Sequence, residues 1–215
     1  FGDSNSWGYT DEDNGQRYKK RWPVLLNQEL IQKGFNTEII EDCLPGRTTN
    51  IDDPQDGIHL NGAKVLKSSL LSHSPIDLVL LMLGTNDLKF RFQRTAENIA
   101  DGIKELIQIV LDTNSGLGGW HDANKSNLVV ICPPTLGEKS YDPKWINFKE
   151  WEGGLEKSTE LHFSFEKVCS QMGVHLIDAN EFCQSSSIDP IHWSKKMHLK
   201  FSENLANIID QKIKL

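Results

Sequence analysis

Short runs of leucine and β-branched residues alternate along this chain with longer stretches whose apolar positions recur at helical spacing. The runs Phe35 to Asp42, Asp77 to Leu83, Asn127 to Cys132 and Val174 to Asp178 predict strands. The stretches near Trp22 to Lys33, Asn61 to Ser72, Thr95 to Asp112, Leu155 to Met172 and Lys196 to Ile213 predict helices. Such alternation is the pattern of βαβ units around a parallel sheet. The runs DLVLLML and NLVVIC are continuously apolar, as expected of central strands covered on both faces. Pro23 suits a first helical turn and Asn61 an N-cap. A polar turn opening at Gly2 calls for a strand ahead of it, so Phe1 is read as the end of a fifth strand, mostly truncated at the N-terminus.

Two segments break the rhythm and read as long loops: acidic, turn-rich Asn50 to His59, and Thr135 to Gly154 after Pro133-Pro134. Trp145 and Trp151 in the second loop read as exposed aromatics that form a lid or, preferably, a contact between copies in a homo-oligomer. No repeat or linker composition divides the chain, so residues 1–215 are taken as a single three-layer αβα domain. In such domains ligands bind at the carboxyl ends of the strands.

Composition narrows the function classes. Of 215 residues 25% are charged and 38% hydrophobic, with no run of eighteen apolar residues, so no membrane span is expected. The net charge of −7 argues against a nucleic-acid partner. The four cysteines form no CxxC pair, which removes the usual zinc-knuckle and thioredoxin-like readings. Buried thiols and the lack of a secretory pattern at Phe1 lead to the expectation of a cytoplasmic protein.

The polar turns carry the chemistry. Gly2-Asp3-Ser4-Asn5-Ser6-Trp7-Gly8 follows the first strand, Pro45-Gly46-Arg47-Thr48-Thr49 the second, Gly84-Thr85-Asn86-Asp87 the third and Asp189-Pro190-Ile191-His192 the fifth. Turns on one sheet edge can converge on one site. A serine hydroxyl such as Ser4 needs a general base, and His192 can supply it. The base needs an acceptor that fixes its tautomer, and Asp189, three residues earlier, can be that acceptor. The backbone N–H groups of Ser4 and Gly46 and the side-chain amide of Asn86 can hold an oxyanion, each worth about 3 kcal/mol when removed.

GDSxxxG near the start, a lone glycine in the second turn, GTND after the third strand and DxxH near the end resemble, in order, the four signature blocks of the GDSL or SGNH hydrolases. The stretch from Arg47 to Lys89 is especially similar to bacterial arylesterase and acyltransferase-like members. The resemblance implies a flavodoxin-like fold with a five-stranded parallel sheet, and hydrolysis of small-molecule esters without metal or cofactor. It carries the family's named roles to Ser4, Gly46, Asn86 and His192, with Asp189 as the acid. Two positions depart from the pattern: Asn5 stands where leucine is usual and Trp193 where Pro or Leu is commoner. Both are read as reshaping the pocket without touching the triad, and Trp7 and Trp193 as walling it, with core or lid packing as the near alternative. Short acyl chains on aryl, alkyl or sugar alcohols are the expected substrates, with acyl-CoA thioester or lysophospholipid hydrolysis as the nearest alternatives.

Several plainer readings compete. Asp56-Gly57-Ile58-His59 has the same DxxH spacing as the proposed acid and base, and only its place before an early helix disfavours it. Asp52, Asp53 and Asp56 lack the oxygen spacing of an EF-hand loop, so an acidic turn is preferred to a calcium site. Asp3, Thr85 and Asp87 read as structural supports, and His73, His121, His162, His175 and His198 as surface or packed side chains. A flavodoxin-like module cradling a phosphate in the first turn is the non-enzymatic alternative.

Overall fold

A computed structural model describes residues 1–117 and 124–213; His121 lies outside the described residues. Three parallel strands, β1 (Leu78–Leu81), β2 (Asn127–Cys132) and β3 (His175–Asp178), pair in the order β1-β2-β3. The helices are a single turn α1 (Ser4–Trp7), then α2 (Trp22–Gln32), α3 (Gly62–Ser72), α4 (Ala96–Asp112), α5 (Gly154–Met172) and α6 (Lys195–Ile208).

The strand pleat sorts the core into two layers. On β2, Leu128, Val130 and Cys132 face a cluster with Leu66 and Leu70 of α3, Ile99 and Leu106 of α4 and Leu161 and Phe165 of α5. Val129 and Ile131 face the opposite cluster, with Leu26 of α2 and Phe201 and Leu205 of α6. Every residue of β2 is buried, which explains why its apolar run does not alternate. The sheet is thus covered on both faces, and the expected αβα class holds.

Local signals set the helix ends where the sequence places them. Pro23 sits in the first turn of α2. The Asn61 side chain accepts from the Ala63 N–H at the start of α3, and Thr95 and Asn98 close a reciprocal capping box on α4. Gly173 ends α5 at φ 66°, a left-handed position that favours glycine.

The expected five-strand count is corrected to three. Residues 35–42 form no strand, because a strand exists only through a partner's ladder, and along most of that segment no ladder is made. Between this segment and β1 lies a cavity of about 660 Å³, bordered by Phe1, Ile39, Leu66, Leu70, Leu78 and Leu80. At its end, Gly2 makes parallel bridges to both Cys43 and Met82. Phe1 and Gly2 therefore sit between the two segments as the beginning of a ladder.

The loop aromatics also differ from expectation. Trp151 is buried in the α3–α4–α5 core and Trp145 packs partly against it. The Lys89 ammonium lies 5.7 Å from the Trp151 ring centroid. Turns at Glu138–Tyr141 and Phe148–Glu150 fold the segment back onto the domain, so these indoles serve the core. Among the described residues no helix is long and apolar enough to cross a membrane.

Candidate active site

The first turn is built around a buried carboxylate. Asp3 caps α1, its Oδ1 accepting the Asn5 N–H at 3.0 Å, and so sets Ser4 at the first helical position. Burial pushes the Asp3 carboxyl up to about 6, against the lowering pull of that backbone hydrogen bond and of nearby His192. The turn leaves through Gly8 at φ 96°, where a Cβ would lie 2.7 Å from the Arg21 Cβ. Only glycine satisfies both the dihedral and the space.

Tertiary folding brings the far end of the chain to this turn. His192 Nε2 lies 3.0 Å from Ser4 Oγ, and His192 Nδ1 lies 2.6 Å from Asp189 Oδ2. Burial alone would raise the Asp189 carboxyl. The hydrogen bond and charge of His192, with the N–H groups of Ile191 and His192, outweigh it and hold Asp189 below its ordinary value. Ser186 shapes this loop: its Oγ accepts the N–H groups of Ile188 and Asp189, and its own N–H donates to His192 O at 2.8 Å. Sequence reading passed over Ser186, although a serine three residues before an aspartate is a recognisable turn former.

The two oxyanion candidates of the other turns are joined to each other. Asn86 Nδ2 donates to Arg47 O at 3.1 Å, tying its amide to the turn that holds Gly46. Gly46 is left-handed at φ 86°, and a Cβ there would meet Leu60 at 3.1 Å. The amide of Asn86 has a second hydrogen to offer. Asp87 is fully buried and supports the pair, accepting from the Thr49 N–H (2.9 Å), the Thr49 hydroxyl (2.6 Å) and Arg94 (2.6 Å). Thr85 is likewise buried.

The competing DxxH is not brought to Ser4. His59 is exposed, and Asp56 pairs instead with Arg91 at 3.0 Å. The other carboxylates of that acidic loop are engaged by cations of the same chain, Asp53 by Arg91 and Asp52 by Lys64. Trp193 requires a correction. It is completely buried, its ring 4.7 Å from that of Phe201, so it belongs to the α2–α6 core, the alternative to a pocket wall. Trp7 is half-buried, with the Arg17 guanidinium 5.5 Å from its ring centroid.

A residue the sequence did not single out faces the base. The Tyr9 ring lies 4.0 Å from the His192 ring, centroid to centroid, at an interplanar angle of 32°. His198 is buried against Trp193 and Tyr18; its burial lowers its pKa to about 4 and its Nδ1 accepts the Trp22 N–H. A hydroxyl, an imidazole within reach of it, a carboxylate on that imidazole and two adjacent turns with amide donors form an arrangement that can support acyl transfer.

Known proteins resemble this chain in sequence and fold. Residues 1–200 match the family model described as GDSL-like lipase/acylhydrolase. An arylesterase of Vibrio mimicus is 29% identical over 142 residues, a match spanning 66% of this chain and only 58% of that relative. A solved aryl esterase of M. smegmatis is 38% identical, with TM-score 0.85 over 97% of this chain and 95% of that one. A solved carbohydrate acetylesterase of Sinorhizobium meliloti is 36% identical, with TM-score 0.84 over the same shares.

Proposed function

From its membership of the GDSL-like lipase/acylhydrolase family, to which this chain belongs, we propose that it is a serine esterase cleaving short-chain carboxylic esters through an acyl-enzyme on Ser4. The observation that carries the proposal is the unbroken chain from Ser4 Oγ through His192 to Asp189. Ser4 Oγ attacks the ester carbonyl while its proton passes to His192 Nε2. Asp189 keeps the Nδ1–H in place and stabilises the imidazolium. The carbonyl π electrons move onto oxygen, where the N–H groups of Ser4 and Gly46 and the Asn86 amide receive them. Collapse of this intermediate expels the alcohol, which takes the proton from His192. Water, deprotonated by the same imidazole, then releases the acid and restores Ser4.

Acetyl or similarly short acyl groups on aryl, alkyl or sugar alcohols are the proposed substrates. Support comes from the aryl esterase and carbohydrate acetylesterase that the chain resembles and from the near-complete burial of Ser4. Asp3 counts against the phosphate cradle, since a carboxylate already fills the heart of that turn. Four free thiols, three of them buried, support action in a reducing compartment such as the cytoplasm. Association into a homo-oligomer is part of the same proposal, supported by Ile146 at 91% exposure and Tyr141 at 51% in the loop before α5. Light scattering reads that state directly.

The test is labelling by a fluorophosphonate together with hydrolysis of p-nitrophenyl acetate and of acetyl-CoA. Ser4→Ala should lose labelling, and undiminished labelling would overturn the mechanism. His192→Ala should lower kcat by about 10²–10⁴-fold, the usual range for a general base, while His59→Ala leaves it unchanged. Faster cleavage of the thioester than of the aryl ester would move the assignment to thioesterase.

A further inference from the structure

We infer that Asn5 is a positioning residue that locks the base onto the nucleophile by gripping the backbone on both sides of His192. The inference rests on the esterase reading above and adds to it a residue whose role no motif supplies. Asn5 is buried beside Ser4 on α1. Its Nδ2 donates to Ile191 O at 3.1 Å, and its Oδ1 accepts the Trp193 N–H at 3.2 Å. One carboxamide thus uses its donor and its acceptor on the residues immediately before and after the base. Its own N–H is held by Asp3 Oδ1, so the grip starts from a fixed backbone.

The geometry requires such a tie. Ser4 and His192 are 188 residues apart, and their hydrogen bond joins two separate loops. Ser186 stiffens the His192 loop from within and reaches Asp11 Oδ2 at 3.4 Å, and the Tyr9 ring packs on His192, but neither holds the backbone on both sides of His192. Asn5 spans the two loops and moves with the nucleophile. Asparagine and leucine are of similar size, so leucine in this place would fill the space and leave the Ile191 carbonyl and Trp193 N–H buried without their partner. The departure from the family's usual leucine therefore bears on the triad itself, contrary to the reading that it alters only the pocket. Paired with Trp193, whose indole anchors the same loop in the core, it forms an alternative way of seating the base.

The experiment compares the parent with Asn5→Leu, using p-nitrophenyl acetate kinetics, thermal unfolding and the ¹⁵N shift of His192 Nε2. Misplacement of a reacting group by about 1 Å can cost roughly 100-fold, so kcat should fall on the order of 100-fold with KM little changed. The Nε2 shift should move toward that of Ser4→Ala, in which the hydrogen bond is absent. An unchanged kcat, or an unchanged Nε2 shift in a folded variant, would overturn the role. Should Asn5→Leu fail to fold, Asn5→Ser, which loses the two-sided grip in a smaller residue, carries the same readings. A parent without esterase activity would sink the proposed function, whereas the Nε2 shift would still decide whether Asn5 holds the base.

Discussion

At the scale of single residues, the cost of building this site is visible in Asp3. A carboxylate with an ordinary pKa of 3.8 is held at about 6 by burial, so the folded protein binds its proton more tightly than the unfolded chain does. Its contribution is then most favourable below pH 3.8 and is lost as pH rises through about 6. Two pH units correspond to about 3 kcal/mol. Asp3→Asn keeps an oxygen for the Asn5 N–H and removes that loss. Its unfolding free energy relative to the parent should therefore rise between pH 3.8 and 6, as read by urea titrations at several pH values. A pH-independent difference would show that Asp3 ionises freely in the fold. His198 has the opposite sign: kept neutral down to about 4 against 6.5 when unfolded, it contributes stability that is lost as pH falls through that window. Replacing Asp3 should thus leave acid sensitivity between pH 6.5 and 4 more pronounced.

Among elements, the oxyanion candidates depend on a joint rather than on any one turn. Asp87, from the turn after β1, receives both Thr49 donors from the turn after residue 46 and the guanidinium of Arg94 ahead of α4. Burial raises the Asp87 carboxyl, and Arg94 and Thr49 act to keep it charged. Breaking a buried ion pair from one side typically costs about 3–5 kcal/mol, because the partner is left uncompensated. Asp87→Ala should lose stability of that order in urea unfolding. It should also lower kcat more than Thr95→Ala, which removes only the α4 cap and costs about 1 kcal/mol. Equal effects on kcat would mean that the joint does not serve the site. The family motif marks Asp87 as a position without revealing this joint, because Thr49 and Arg94 are distant in the chain and carry no signature of their own.

For the whole molecule, the cavity beside β1 lies next to a ladder that Phe1 and Gly2 open between β1 and residues 35–42. Phe1 and Gly2 already bond to both neighbours: the Phe1 amino group donates to Leu80 O, Met82 N–H to Phe1 O, Gly2 N–H to Asp42 O and Leu44 N–H to Gly2 O. A parallel ladder begun this way extends wherever strand is supplied. An added segment of about five β-branched residues ahead of Phe1 should enter the cavity and pair with β1. Each kcal/mol gained would raise Tm by roughly 2–4 °C in a domain of this size. A Gly-Ser extension of equal length should leave Tm unchanged, and equal Tm values for the two would refute the pairing.

Local periodicity was enough to place all five long helices and three strands, since helical spacing, Asn61, Thr95 and Pro23 act through neighbours in the chain. It mistook residues 35–42 for a strand, because β-propensity has no effect without a partner to pair with. It also read Trp151 as exposed and could not separate a pocket wall from core packing at Trp193, when both are core, because burial of an isolated aromatic is settled by what folds over it. The four motifs, by their residue types and order, determined the family and the candidates Ser4, Gly46, Asn86, Asp189 and His192. The tertiary structure brings His192, and not His59, to Ser4, and only it disclosed the contacts of Asn5, Tyr9 and Ser186. Spacing along a chain records which groups are available, whereas a 3.0 Å contact across 188 residues exists only once the sheet has set two loops side by side.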